Sequence, residues 1–271
     1  MKPTLQAACL QLCSSNNLEE NLHTIEHLLA PFSKLDVILL PENATLITAN
    51  SHDKHAAAQA ESVSKIYAFF SRLAKQHQAW LVAGSILIQD EHKPDKFHNH
   101  CPVFSPTGER VTHYNKIHLF DADLGSESWQ ESQLISAGDT AQTALLDAPW
   151  KAGLSICYDL RFPELYRQYS EQGCNILTVP AAFTVPTGKA HWECLLKARA
   201  IENQCYVLAA GQWGKHQDGR VTYGHSMIID PWGKVLAQLD EGEGIITAQL
   251  DYHHLQHIRQ QLPALQHRKL L

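Results

Sequence analysis

The chain lacks long apolar runs, runs of like charge and internal repeats. No apolar stretch approaches the ~18 residues that a membrane span needs, so we expect no membrane partner. The 22 Lys and Arg against 28 Asp and Glu give a formal net charge of −6. Partial protonation of the 17 His would bring this to about −2 at pH 7. Neither value fits the basic face of a nucleic-acid binder, so we expect no nucleic-acid partner.

The chain also lacks the features of a disulfide scaffold and of a secretory leader. Its cysteines are Cys9, Cys13, Cys101, Cys157, Cys174, Cys194 and Cys205. Their odd number and irregular spacing predict reduced thiols in an oxidant-poor compartment. Gln6 and Gln11 interrupt the first apolar stretch, so that stretch predicts a β-strand and not a leader. With no linker rich in Pro, Gly or Ser, we expect one cytoplasmic domain over residues 1–271.

Hydrophobic periodicity alternates between strand and helix early in the chain, and adjacent strands follow late. This order predicts a mixed-sheet α/β protein. Helical spacing covers 18–32, 56–78, a segment that opens at Pro163, and 190–203. Strand patterns cover 5–10, 36–40, 80–88, 97–104, 109–114, 151–157, 175–179, 205–210, 222–229, 235–239 and 245–250. The intervening loop over 116–139 exceeds 20 residues, a length that favours a functional role.

Cys157 stands where an apolar strand ends and a helix is about to begin. Pro163 suits the first turn of that helix, and a thiol near a helix N-terminus is favoured as thiolate. A nucleophile and a buried core cysteine are both compatible with this segment. Five other cysteines lie within or beside predicted strands and helices, where packing is the expected role: Cys9, Cys13, Cys174, Cys194 and Cys205.

Two further charged residues also follow strands. Glu42 comes directly after the apolar run Ile38-Leu39-Leu40-Pro41, and carboxylates are rarely buried unpaired. If enclosed, this carboxylate becomes a competent base near neutral pH; the alternative is an exposed loop residue. Lys116 follows the strand over 109–114, and alone it would be read as a solvated surface lysine.

Together these residues describe a cysteine amidase. A carboxylate can take the thiol proton and later activate water, and an ammonium can stabilise the oxyanion of a tetrahedral intermediate. The backbone N–H of Tyr158, just after the thiol, is a candidate second oxyanion donor. Ends of strands in α/β sheets are where such sites are built.

The sequence resembles the nitrilase superfamily, the carbon–nitrogen hydrolases with a Glu-Lys-Cys triad, over nearly the whole chain. Glu42 in PEN, Lys116 in YNKIHLFD and Cys157 in ICYDLRFPEL stand at the positions of base, lysine and nucleophile. Glu131 matches the family's second glutamate, whose implied role is to hold the lysine. The resemblance implies a four-layer α-β-β-α sandwich, no metal or organic cofactor, and a homodimer or larger homo-oligomer paired through helices near the nucleophile, those that start at Pro163 and Ala190.

Within the superfamily, the segments 181–210 and 223–233 resemble the Nit branch, and within it the deaminated-glutathione amidases. That resemblance implies a small amide substrate, deaminated glutathione, cleaved to 2-oxoglutarate and Cys-Gly. The related ω-amidases, which act on 2-oxoglutaramate, typically carry Asn at the position of Thr184 and Pro at that of Lys189. An ω-amidase therefore remains the alternative.

Candidate substrate-binding residues follow from the same comparison. Arg161 is compatible with an ion pair to Asp159 or Glu164, and equally with a fork that binds a substrate carboxylate. The resemblance implies a loop over 183–189 that borders the pocket, with candidate contacts from Phe183, Thr184, Thr187 and Lys189.

Two other classes of function are weaker alternatives. His98 and His100 alternate along one strand, so they share a face, but zinc needs three or four ligands and no further ligand motif is present. A metal-dependent hydrolase is therefore disfavoured, and we expect no metal. A scaffold with a retired site is disfavoured because such a protein has no chemical need for Glu42, Lys116, Cys157 and Glu131 together.

Overall fold

The structure, a computed structural model, describes residues 2–123, 125 and 128–269. In chain order its elements are β1 (Thr4–Gln11), α1 (Leu18–Leu29), β2 (Val37–Leu39), α2 (Ser51–Ala58), α3 (Ala60–His77), β3 (Trp80–Val82), β4 (Ile86–Gln89), β5 (Phe97–Phe104), β6 (Arg110–Asn115), β7 (Asp121–Asp123), β8 (Ser128–Gln130), β9 (Thr143–Leu145), β10 (Lys151–Leu154), α4 (Pro163–Glu171), β11 (Ile176–Ala181), α5 (Val185–Asn203), β12 (Tyr206–Gly211), β13 (Trp213–Lys215), β14 (Val221–Tyr223), β15 (Ser226–Ile229), β16 (Val235–Leu239), β17 (Gly244–Asp251) and α6 (Tyr252–Gln261). Two short 3-10 helices cover Glu131–Gln133 and Cys157–Arg161.

Two sheets of similar design form the centre of the molecule. The first runs β17-β1-β2-β3-β5, with β3 and β4 along one edge of β5 and β6 along the other. The second runs β16-β15-β12-β11-β10-β9. In each sheet the three central strands, β1-β2-β3 and β10-β11-β12, are parallel, and antiparallel strands flank them. The carboxyl ends of the parallel strands in each sheet therefore share one edge.

Strand β1 shows why the sheets are covered on both faces. Successive side chains of a strand point to opposite faces. Leu5, Ala7 and Cys9 belong to the core that also contains the second sheet, whereas Ala8 and Leu10 pack with residues of α1 and α3. Helices α4 and α5 cover the outer face of the second sheet. This arrangement confirms the predicted α-β-β-α sandwich. That residues 1–271 form one domain stays a prediction, and its end positions 1, 270 and 271 lie outside the described residues.

Glycine conformation divides two of the predicted strands. The predicted strand over 80–88 splits into β3 and β4 because Gly84 adopts φ +64° and a Cβ there would lie 1.9 Å from the Pro41 carbonyl oxygen. Only glycine allows this close approach, which packs the β3–β4 turn against the segment that carries Glu42. The predicted strand over 222–229 likewise divides, at Gly224 with φ +70° and His225 with φ 55°.

Helix boundaries also differ from expectation. The predicted helix over 56–78 is two helices, because Gln59 is extended, with φ −63° and ψ 145°. The predicted loop over 183–189 is wrong from residue 185 onward: α5 begins at Val185, with Pro186 in its first turn and Thr184 as its N-cap residue. Proline suits that position because its missing N–H would have no helical partner there. Helix α6 was not predicted.

The predicted loop over 116–139 contains the short hairpin β7–β8 and the 3-10 helix Glu131–Gln133. Residues 124, 126 and 127 of that segment lie outside the described residues. In the described part of the chain, no helix has the length and apolar character that a membrane span requires.

Candidate active site

Three strand ends bring the predicted triad together. Glu42 follows β2 in the first sheet, Lys116 directly follows β6, and Cys157 opens a 3-10 helix after β10 in the second sheet. All three side chains are buried and line one cavity. The site therefore lies between the two sheets, where side chains far apart in the sequence converge.

Lys116 is the charged centre of the site. Its Nζ lies 3.0 Å from Glu42 Oε1 and 2.9 Å from Glu131 Oε2, and the Lys116 side chain is only 2% exposed. Burial alone would lower the pKa of Lys116, but the two carboxylates, with Glu131 the stronger, raise that pKa well above its usual value. Lys116 is therefore a permanent cation between two anions.

Glu42 is held as an ionised carboxylate by several donors. Asn99 Nδ2 donates to Glu42 Oε1 at 2.8 Å, and the Ala182 backbone N–H donates to Glu42 Oε2 at 2.9 Å. Burial would raise the pKa of Glu42, but the Lys116 charge and hydrogen bonds from Cys157, Lys116 and Asn99 hold that pKa below its ordinary value. The Glu42 carboxylate therefore stays ionised at neutral pH; its role as the catalytic base stays a prediction.

Cys157 adopts a backbone conformation that non-glycine residues rarely take, with φ 51°. Left-handed backbone costs such a residue roughly 1–2 kcal/mol, and strain of this kind concentrates at functional sites. The turn directs the thiol toward the first sheet. Burial first, and then the charge of Glu42, raise the pKa of the Cys157 thiol well above its usual value, against Lys116 and the Ala182 N–H, which lower it. The resting thiol is therefore protonated, and a base must remove its proton.

A buried carboxylate, Asp159, joins the Lys116 and Cys157 segments. Asp159 accepts hydrogen bonds from the Tyr114 hydroxyl at 2.7 Å, from Ile156 N at 2.8 Å and from His118 N at 3.0 Å. Its oxygens thus bond both to the strand that precedes Lys116 and to the turn that carries Cys157. These contacts fix the two segments relative to each other.

The cavity has a volume of about 240 Å³, which suits a small molecule. Besides the triad and Glu131, its described lining includes Asn99, apolar side chains such as Ile47 and Leu134, and two further cations, Lys54 and Arg220. The lining is therefore apolar over part of its area with convergent charged groups, as expected of a site for a small charged substrate.

The predicted substrate-binding residues lie outside the described lining of this cavity. Arg161 contacts His191 Nδ1 at 3.3 Å and lies over the rings of Tyr158 and Phe183, both at 5.7 Å. Among the described residues it forms no ion pair, so neither predicted partner, Asp159 or Glu164, is used. That Arg161 binds a substrate carboxylate stays a prediction.

The remaining predicted contacts cluster around the start of α5. Thr184 and Thr187 are buried and share a hydrogen bond between their hydroxyls at 2.8 Å, Phe183 packs on Trp192, and Lys189 is exposed. Tyr158 follows Cys157 in the 3-10 helix; a role for its backbone N–H as oxyanion donor stays a prediction.

Three site residues were missed in the sequence. Asn99 lies between His98 and His100, and strand alternation already places it on the face opposite the two histidines; this signal was available. Asn99 Nδ2 also lies 3.3 Å from Glu131 Oε1, so one amide contacts both carboxylates. Lys54 and Arg220 carry no sequence signal, because one lies on a polar helix and the other in a loop. Among the described residues, no group of three or more His, Cys, Asp and Glu is arranged to hold a metal ion.

Substitution of Asn99 by Asp tests its role. A third carboxylate beside Glu42 and Glu131 disfavours ionisation of all three, so the pKa of Glu42 rises. We expect kcat to fall about 10- to 100-fold and the acid limb of the pH–rate profile to move to higher pH. Val111→Glu, which adds a carboxylate at an exposed position of β6, is the control. An unmoved acid limb in Asn99→Asp would contradict this role.

Comparison with known proteins identifies the family of this chain. The family model of carbon-nitrogen hydrolases matches residues 6–260. A "Deaminated glutathione amidase" of Synechocystis is 42% identical over 274 residues, 99% of each chain. The crystal structure of the C. elegans NitFhit protein superposes with a TM-score of 0.92 at 36% identity, covering 98% of this chain and 65% of that one. Saccharomyces cerevisiae Nit3, described as a member of branch 10 of the nitrilase superfamily, superposes with a TM-score of 0.83 at 30% identity, covering 96% and 95%.

The fold and site define a hydrolase that acts on carbon–nitrogen bonds. The chain belongs to the carbon–nitrogen hydrolase family, in the Nit branch of the nitrilase superfamily, and it is an amidase.

Proposed function

We propose that this amidase hydrolyses deaminated glutathione to 2-oxoglutarate and Cys-Gly, with Cys157 as nucleophile. The observation that carries the proposal is the placement of Cys157, Glu42, Lys116 and Glu131 on one small cavity with additional positive charge. The substrate is an amide with carboxylates at both ends. The Synechocystis relative named for this activity, similar over 99% of both chains, supports the choice of substrate.

The first half-reaction forms a thioester. Glu42 takes the proton of the Cys157 thiol as the sulfur attacks the amide carbonyl carbon. The oxyanion that forms is stabilised by the Lys116 ammonium and the Tyr158 N–H. When the C–N bond breaks, the proton on Glu42 passes to the leaving amine. The products of this step are Cys-Gly and the 2-oxoglutaryl thioester of Cys157.

The second half-reaction restores the enzyme. Glu42 removes a proton from a water molecule, which attacks the thioester carbonyl. The C–S bond then breaks, 2-oxoglutarate leaves, and the thiolate regains the proton from Glu42. Glu131 holds Lys116 in position through both steps, by the 2.9 Å contact.

An ω-amidase that acts on 2-oxoglutaramate is the second candidate, because that substrate shares the same acyl group. Turnover of both substrates by the purified protein separates them. A kcat/KM preference of about tenfold or more for deaminated glutathione, about 1.4 kcal/mol of discrimination, is the expected result. The opposite preference would assign the protein to the ω-amidases without changing the mechanism. Full loss of activity after exhaustive chelation would contradict a metal-free mechanism.

The pKa shifts predict a broad pH optimum. The active form needs Glu42 ionised, and its lowered pKa keeps it so down to mildly acidic pH. The raised pKa values of Cys157 and Lys116 keep both protonated on the alkaline side. For an uncharged short amide we therefore expect kcat/KM to vary less than about threefold between about pH 6 and about pH 9. Initial rates in overlapping buffers check this, and an acid limb near neutral pH would contradict Glu42 as a base of lowered pKa.

We also propose that the protein is a homodimer and that it is located in the cytoplasm. The resemblance to the family supports pairing near α4 and α5, and seven cysteines without a disulfide support a reducing compartment. Sedimentation equilibrium tests the dimer directly.

A further inference from the structure

More cations than carboxylates line the described part of the cavity. Its described lining carries two carboxylates, Glu42 and Glu131, and three cations, Lys54, Lys116 and Arg220. Lys116 contacts both carboxylates at 3.0 Å or less, so these three groups form a compact unit. Lys54 and Arg220 are two further cations on the wall of the same cavity. The mechanism proposed above uses neither of them.

Lys54 is a half-buried cation without a carboxylate partner. It lies in α2, whose N-cap Asn50 accepts a hydrogen bond from His52 N at 2.9 Å. Among the residues that the structure describes, its ammonium forms no ion pair and no hydrogen bond. The charged groups that face it are Arg220, Asp218 and Glu131. Burial, and then the positive charge of Arg220, lower the pKa of Lys54. The carboxylates of Asp218 and Glu131 raise it, but the net shift is downward.

Arg220 is held in place by two contacts. Its Nη2 lies 3.3 Å from Asp218 Oδ2, and its guanidinium carbon lies 5.0 Å from the centre of the Trp129 ring. A guanidinium that is stacked and paired on one side keeps further N–H donors for another acceptor. Arg220 is thus an oriented donor group beside the free ammonium of Lys54.

Two neighbouring cations in a partly desolvated cavity repel each other, and an anion bound between them removes that repulsion. Carboxylate oxygens match both donors: the ammonium as a point charge and the guanidinium as a fork. This pair and Cys157 line the same cavity, so one bound molecule can present an anion to the pair and an amide to the thiol.

We propose that Lys54 and Arg220 bind a carboxylate of the substrate and so determine specificity for carboxylate-bearing amides. This inference rests on the proposed function, because it assigns the site for one end of that substrate. Deaminated glutathione has a 2-oxo acid carboxylate in its acyl part and a glycine carboxylate in its leaving group. Both have the chemistry that the pair recognises, and experiment distinguishes them.

The test measures the affinity for intact substrate by calorimetry in a Cys157→Ala background, where no turnover consumes it. We expect Lys54→Met to raise the Kd for deaminated glutathione about 10- to 100-fold, the range for hydrogen bonds to charged groups. Lys54→Arg should keep most of the affinity, and Arg220→Met should weaken binding as Lys54→Met does. If Arg220→Met does not fold, Arg220→Lys replaces it in the test, because it keeps the positive charge and removes only the fork of the guanidinium. Lys34→Met is the matched control. Lys34 is exposed in the loop that precedes β2, at the end of that strand away from Glu42, so we expect Lys34→Met to leave the Kd unchanged.

Two ligands identify the bound end. 2-Oxoglutaramate carries the 2-oxo acid carboxylate only, and butyryl-Cys-Gly carries the glycine carboxylate only. The ligand whose Kd rises in Lys54→Met relative to Lys34→Met contains the recognised group. An unchanged Kd for deaminated glutathione in Lys54→Met, while the wild-type enzyme turns that substrate over, would overturn this inference alone. Absence of wild-type turnover on deaminated glutathione would instead overturn the proposed function.

Discussion

Replacement of Cys157 by Ala is expected to lower kcat/KM about 10⁴- to 10⁶-fold, the effect of removing a nucleophile from an enzyme that forms a covalent intermediate. The reason is geometric as well as chemical. The left-handed backbone at Cys157 aims this thiol at the cavity that Glu42 and Lys116 line, and no second thiol lines the described part of that cavity. Steady-state kinetics with deaminated glutathione and with 2-oxoglutaramate measure the loss.

A control separates the nucleophile from cysteine loss in general. Cys194 is exposed on α5, and Cys194→Ala should leave kcat/KM within about twofold of the wild-type value. Acid quenching during turnover, followed by peptide mass spectrometry, should find the acyl group on the peptide that contains Cys157. An acyl group on any other cysteine, or substantial activity in Cys157→Ala, would refute the mechanism.

Replacement of Lys116 by Met is expected to abolish activity and also to destabilise the protein. Lys116 is the cation between Glu42 and Glu131. Its loss leaves the buried carboxylate of Glu42 and the partly buried carboxylate of Glu131 facing each other across an apolar side chain. Breaking a buried ion pair on one side costs about 3–5 kcal/mol of unfolding free energy. The pKa of Glu42 should rise because the main charge that lowers it is gone. Urea unfolding and residual kcat measure the two effects.

The double variant Lys116→Met with Glu131→Gln distinguishes electrostatics from packing. Removing one of the two facing carboxylates relieves their repulsion, so part of the lost stability should return. Activity should not return, because the oxyanion still lacks its ammonium. If the double variant were no more stable than Lys116→Met, packing of the lysine side chain and not charge would account for the destabilisation. Lys34→Met, at an exposed position in the loop before β2, should change stability by less than about 0.5 kcal/mol.

Much of the site could be predicted because strand ends are visible in a sequence. Apolar runs that stop at Glu42 and at Cys157, and a strand that stops before Lys116, mark places where the carboxyl edges of sheets present side chains. Burial of every residue of β2 gives a continuous apolar run, and the order of helix and strand patterns made the mixed α/β class predictable. The long loop after Lys116 contains Glu131, whose distance from Lys116 in the chain is short enough for local folding to join them.

Contacts between distant segments could not be predicted in the same way. Asn99 on β5 donates to Glu42 after β2. Lys54 on α2 lines the same cavity as Arg220, which lies in a loop more than 150 residues later in the chain. Local pattern carries no information about such pairs, because they depend on how sheets and helices pack. The predicted pocket loop over 183–189 was wrong for a different, local reason: α5 begins at Val185, with Pro186 in its first turn. Thr187 therefore lies in a helix, and it lies outside the described cavity lining.

The sequence by itself determined which chemical groups are present and where strands deliver them: a thiol, a carboxylate and an ammonium, each following a strand, in an α/β chain. Tertiary structure alone decided what these groups experience. Burial between two sheets removes water, so the Lys116 charge and the Asn99 amide act on Glu42 at full strength. That enclosure keeps the base ionised and the Cys157 thiol protonated, and it places Lys54 and Arg220 on the same cavity.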